Sequence, residues 1–143
     1  MSNENMHREW ERRLTAYRIA AALSEADASF GRFARENETF NVARRQHRHR
    51  SVNHAKSESD GVSWEEAWCR MGLAEKARLE TFLEPMWEAA RCLAKTSAPT
   101  LEATLIKVEI IKHEELDNDS EMGCDPFELV AEDFARIGRE VQQ

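Results

Sequence analysis

Apolar positions in the first third of the chain recur at alternating four- and three-residue steps. Trp10, Leu14, Tyr17, Ala21, Ser24 and Ala28 mark one side of a helix, because such steps return to the same face of a 3.6-residue turn. A second stripe begins midway with Ile19, Leu23, Ala26, Phe30 and Phe33 and resumes at Phe40. At about 100° per residue the two stripes fall on nearly opposite sides. The pattern predicts one long helix over 4–46, its first half packed on one neighbour and its second half on another or on a second copy. Gly31 and the region of Asn37 are the expected places for a kink or an end.

The periodicity then stops. Residues 47–62 hold little beyond Val52 and Ala55 to bury and are rich in Ser, Asn, Asp and charge, which predicts a basic, polar, mobile linker. Ser63-Trp64-Glu65-Glu66 restarts the chain with a capping box. Trp64, Trp68, Met71, Leu79, Phe82, Met86, Ala89 and Leu93 follow on one face. Their phase survives Pro85, which favours a kinked helix, or two nearly collinear ones meeting near Glu84, over a sharp reversal. Ala98-Pro99 ends that helix, and Thr100 is placed to cap the next.

The stretch 97–116 has the densest aliphatic content of the chain. Leu101, Leu105, Val108 and Ile111 line one face and Ala103, Ile106 and Ile110 the other, so a helix here needs neighbours on both sides. Ile106, Val108 and Ile110 also alternate as a strand would, but no other segment offers a strand to pair with. After a polar loop over 117–124, Asp125-Pro126-Phe127-Glu128 supplies an N-cap, a Pro at the first helical position and an early acid. Phe127, Val130, Ala131, Phe134, Ile137 and Val141 complete an amphipathic closing helix. The expected fold is all-α: a long N-terminal helix (1–46), the linker (47–62) and a body (63–143) in which three to four amphipathic helices form a bundle.

Composition agrees with helix. Only 5 glycines and 3 prolines occur in 143 residues, too few for the frequent turns of an all-β chain. Charge refines the picture because it is unevenly spread. The net charge is −7, which argues against a general nucleic-acid coat protein. Within 42–56, however, Arg44, Arg45, Arg48, Arg50 and Lys56 stand with three histidines and no acid, whereas 109–133 holds ten acids against Lys112 alone. Arg44, Arg45, Arg48 and Arg50 are therefore candidates for nucleic-acid contact, although no aromatic side chain is interleaved with them to stack on bases. Two plainer readings stand beside this one. The cations can oppose a helix dipole, or the run can dock on the acidic region within or between chains.

Candidate chemistry is sparse. Cys69, Cys92 and Cys124 are odd in number and form no CxxC pair, as fits packing thiols in a reducing cytoplasm. The polar N-terminus has no signal-peptide core, and no apolar run is long enough for a membrane span. Glu4-x-x-His7 is one isolated di-iron-type pair, and His113-Glu114-Glu115-Leu116-Asp117 lacks the second histidine of a zinc-protease helix. No metal, cofactor or catalytic residue is expected. The surplus of apolar faces on the first helix instead makes Trp10, Leu14, Tyr17, Ile19, Leu23, Phe30 and Phe33 the candidate interface for a protein partner or a homo-oligomer.

Three features carry a resemblance: a tryptophan-led first helix (Trp10-x3-Leu14-x2-Tyr17-x3-Ala21), a helix ending in Thr-Ser-Ala-Pro-Thr-Leu at 96–101, and a following helix with Leu101-x5-Lys107. This layout resembles small uncharacterised α-helical proteins of bacterial and prophage genomes. The resemblance implies a cytoplasmic bacterial accessory protein and carries over no functional residue.

Overall fold

The computed structural model describes residues 1–53 and 63–143, the side chains of 49–53 excepted. Within these residues the fold is all-α, as the periodicity predicts. Its elements are α1 (Asn3–Phe30), α2 (Arg32–Asn53), α3 (Trp64–Arg78), a π-helical turn (Leu79–Leu83), α4 (Glu84–Lys95), α5 (Leu101–His113), two 3-10 turns (Leu116–Asn118 and Ser120–Met122) and α6 (Pro126–Val141).

The long N-terminal helical stretch bends at Gly31 and does not end there. The Gly31 amide still donates to the Asp27 carbonyl at 2.9 Å, and the Arg35 amide donates to the Gly31 carbonyl at 3.2 Å. A Cβ at residue 31 would collide with the Asp27 carboxylate and come within 2.7 Å of the Asp27 carbonyl oxygen. Glycine is thus required by close approach. Helix α2 continues to Asn53, so residues 47–53, expected in the linker, are helical. The rest of that segment, 54–62, lies outside the described residues.

The sequence caps are in place. Glu66 N–H donates to Ser63 Oγ at 3.1 Å, Ala103 N–H to Thr100 Oγ1 at 3.1 Å, and Phe127 N–H to Asp125 Oδ1 at 2.9 Å. Each satisfies one amide that a helix start leaves without a partner. Pro85 neither ends nor reverses the chain. Proline has no N–H and its ring crowds the carbonyl four residues back. The turn before it opens into a π-turn, in which Glu84 N–H reaches the Leu79 carbonyl. The inserted residue shifts the helical phase beyond Leu83, and the single apolar face expected from Trp64 to Leu93 fails already within α3. Ala67 and Ala74 are buried in α3, while Trp68 and Leu79 are exposed.

The chain forms two compact units. The first comprises Met1–Ala21 and Pro85–Gln143, and the second Ala22–Glu84. In the first unit, Trp10, Leu14 and Tyr17 of α1 are buried with Met86, Ala90, Leu93 and Ala94 of α4, Ala103, Ile110 and Ile111 of α5, Leu116, Met122, and Val130 of α6. In the second unit α2 and α3 pack on each other. Arg78 holds the end of α1, bonding Ser24 O at 3.0 Å and Asp27 Oδ2 at 2.8 Å. Arg70 joins α3 to Glu36 of α2 at 3.0 Å.

Helix α5 is a scaffold element, yet it does not bury the two faces expected of it. Ala103, Thr104, Lys107, Ile110 and Ile111 make one buried face, whereas Leu101 and Leu105 are exposed. Helix α6 departs in the same way: Val130 and Asp133 are buried, and Phe127, Phe134 and Val141 are exposed. The physical reason is a buried ion pair, Lys107 with Asp133, which the apolar pattern does not register.

Candidate functional site

The buried pair is the most chemically loaded spot of the first unit. Lys107 Nζ donates to Asp133 Oδ2 at 2.5 Å and to the Thr96 carbonyl at 2.6 Å. It also lies 5.8 Å from the centroid of the Trp10 ring, within cation–π range. Asp133 Oδ1 accepts from Ala98 N–H and from Arg136, each at 3.2 Å, and Arg136 also donates to the Ala98 carbonyl. Burial pushes the Lys107 ammonium below the usual lysine range, and the Asp133 carboxylate opposes that shift. A depressed lysine invites a catalytic reading. The geometry answers it. Lys107 is 2 % exposed, two of its protons are taken by protein oxygens, and the indole faces it. The group ties α5, α6 and the 96–98 turn together beneath Trp10.

Two further polar ties close the same unit. Tyr17 Oη donates to Glu114 Oε1 at 2.7 Å; burial first, and this hydrogen bond second, hold the phenol well above the usual tyrosine range. Arg91 bonds Asp119 at 2.9 Å, Glu88 at 2.9 Å and Glu121 at 3.2 Å, and its hydrogen bond draws the Asp119 carboxyl down. Glu114, Asp119, Glu121 and Asp133 of the acidic 109–133 region are therefore engaged with Tyr17, Arg91, Lys107 and Arg136 inside their own unit. Cys92 has its thiol raised by burial, with Glu88 adding to the effect, the opposite of an activated nucleophile. Cys69 and Cys124 are exposed and free. Among the described residues, no three His, Cys, Asp or Glu side chains converge as a metal site, and no helix is long and apolar enough to cross a membrane.

The candidate interface residues divide. Trp10, Leu14 and Tyr17 are buried in the core of the first unit and are not available to a partner, which corrects their place in the candidate interface. Ile19, Leu23 and Phe30 are exposed by 57 %, 54 % and 83 %. Phe33 is half-buried, with the Arg78 guanidinium 5.5 Å over its ring.

The basic candidates lie on α2. Arg44, Arg45 and Arg48 are exposed, and the Arg44 guanidinium is 6.0 Å over the Phe40 ring. The side chain of Arg50 lies outside the described residues. What the linear sequence could not show is the company these arginines keep. Trp64 and Trp68 of α3 meet Phe40 at centroid distances of 5.1 and 5.7 Å and each other at 5.6 Å. His47 stacks on Trp64 at 5.3 Å with an interplanar angle of 16°. An aromatic cluster drawn from two helices thus adjoins the basic run. The signal for it in the sequence is the helical phase on α3 that sets Trp64 and Trp68 on one face.

Fold and geometry define a class: an all-α protein with a polar-bridged core in one unit, an aromatic cluster in the other, and exposed apolar side chains on both. Comparison with known proteins matches no family model, no curated protein and no solved structure.

Proposed function

We propose that the protein is a non-catalytic helical interaction module, cytoplasmic and self-associating through the outer face of α1. The observation that carries this reading is the exposed stripe Ile19, Leu23, Ala26 and Phe30. Its 4-3-4 spacing is the seam spacing of a coiled coil. Ala22 and Ser29 beside it are small and let a second backbone come close.

A second copy is favoured over an unrelated partner by energetics. Fully burying Ile19, Leu23 and Phe30 contributes about 1.5–3 kcal/mol each, against an association cost of about 4–15 kcal/mol. An isologous contact uses each side chain twice, which raises the sum to at most about 9–18 kcal/mol, the same range as that cost. The second unit supports the same reading, since among its described residues the buried apolar side chains are all alanines: Ala43, Ala67 and Ala74. A unit so thinly packed gains from a further layer. The cytoplasmic part of the reading draws on the odd cysteine count and the free thiols.

Sedimentation equilibrium at micromolar concentration tests the proposal. The expected result is a concentration-dependent dimer that Leu23→Glu with Phe30→Glu converts to monomer while helicity is kept. Those two residues are exposed, so their replacement leaves the fold intact. A wild-type monomer throughout the range would end the reading.

A further inference from the structure

We propose that the α2–α3 face of the second unit is a single-stranded nucleic-acid site, in which Trp68 stacks on a base and Arg44 and Arg45 hold phosphates. This rests on residues other than the α1 stripe and stands or falls separately from self-association.

Sequence-tolerant binding of single strands combines cations that track the backbone with aromatic faces on which bases stack. The basic run alone has only the first component. The fold supplies the second from another part of the chain. Trp68 is 61 % exposed, whereas Trp10 is buried and Trp64 and Trp87 are half-buried. Its indole meets Phe40 edge to face at 63° and Trp64 at 59°, so it is held in place and loses little freedom when a base stacks on it. His47 is exposed and stacked on Trp64, which widens the platform. Phe40, Arg44 and His47 fall on one face of α2, at steps of four and three residues.

Electrostatics at the face differ from those of the whole chain. Residues 42–48 contain Arg44, Arg45 and Arg48 and no acid. Of the acids nearby, Glu36 is paired with Arg70 at 3.0 Å. Glu38, Glu65, Glu66 and Glu75 are exposed and keep the patch small, so binding is weak and confined to a few nucleotides. A duplex is disfavoured because its bases are already stacked and leave the indole nothing to receive. The chemistry admits both ribose and deoxyribose strands, and the test separates them.

The test titrates the full-length protein with labelled oligothymidylate, oligouridylate and a DNA duplex of equal length, following anisotropy and tryptophan fluorescence. Expected are quenching on single strands, weaker binding of the duplex, and a slope of log affinity on log salt near −1.4 for two phosphate contacts at about −0.7 each. Trp68→Ala should weaken single-strand binding roughly 5- to 100-fold and abolish most of the quenching. Arg44→Gln with Arg45→Gln should flatten the salt slope while quenching at saturation remains. Circular dichroism confirms that each variant is folded. The proposal is overturned by absence of binding at low salt. It is equally overturned by binding that ignores Trp68→Ala and takes duplex as readily as single strand, or by a Trp68→Ala effect on oligomeric state alone. A preference between the two single strands would assign the sugar.

Discussion

In the first unit Trp10, Lys107, Leu93, Ile111, Leu116 and Met122 are buried almost completely, and the buried Thr104, Lys107 and Asp133 are all hydrogen-bonded; among the described residues of the second unit no apolar side chain larger than alanine reaches that state. The contrast lies in what holds each unit together. The first is a dry core crossed by a charged bridge. The second relies on half-buried rings and on two ion pairs between its helices, the largely buried Arg78–Asp27 and the partly exposed Arg70–Glu36. Free energies of local opening track buried apolar contact, so the second unit should open first. Surfaces that receive partners are drawn from such regions; Leu23, Phe30 and Trp68 are exposed there, while the first unit exposes Ile19, Leu101, Leu105 and Val141 over a closed core.

The largest expected effect tests whether the charged bridge holds the first unit. Replacing Lys107 by Met leaves the Asp133 carboxylate buried with only Arg136 and the Ala98 amide. Breaking a buried pair from one side typically costs about 3–5 kcal/mol. The expected loss in urea unfolding lies toward the lower end of that range, because those two partners remain. Lys107→Met combined with Asp133→Asn removes the stranded charge and should recover part of it, giving a coupling of about 1–3 kcal/mol. A loss under about 1 kcal/mol for the single variant would place the stability of this unit in its apolar contacts alone.

That bridge also explains where the sequence was readable. All the helices from 4 to 46 and from 63 onward, their caps at Ser63, Thr100 and Asp125, and the bend at Gly31 were visible, because capping chemistry and glycine act locally. The facing of α5 and α6 was not. Hydrophobic periodicity assigns Leu101, Leu105 and Phe134 to the inside, and only knowledge that Lys107 and Asp133 meet across 26 residues turns the helices the other way. The same limit applies to the candidate surface. The arginines of α2 were visible as a run, but the tryptophans beside them come from α3 and joined them only through the fold. The π-turn at Leu79–Leu83 adds a residue between α3 and α4, a shift no period of 3.6 anticipates.

A smaller effect sharpens the comparison at the edge of the first unit. Tyr17 is the sole tyrosine of the chain, so its near-ultraviolet phenolate absorbance reports on one site. Its folded pKa is raised above the unfolded value of about 10. The folded form therefore holds its proton where the unfolded form releases it. The contribution to stability is fully present below about pH 10 and is lost as pH rises beyond it, at roughly 1.4 kcal/mol per pH unit. Native protein should show no phenolate at the ordinary tyrosine value and should release it only with alkaline unfolding. Tyr17→Phe should remove that alkaline sensitivity and cost about 1.5–3 kcal/mol at neutral pH, through the lost bond to Glu114. A phenolate that titrates normally in folded protein would take Tyr17 out of the core.

The smallest change addresses the second unit. At Gly31 an alanine methyl would meet the Asp27 carboxylate, which is held from the other side by Arg78 at 2.8 Å. Backbone crowding of this kind costs about 1–3 kcal/mol, and the better helix propensity of alanine returns about 1 kcal/mol. The net loss for Gly31→Ala is therefore roughly 1 kcal/mol. The informative quantity is where the loss appears. Amide exchange should accelerate in α2 and α3 and stay unchanged at Leu93, Ile110, Ile111 and Val130, since those amides open with the first unit. Equal acceleration in both sets would mean that the chain unfolds as one cooperative body, and the contrast between a bridged core and a thin one would then have no thermodynamic meaning.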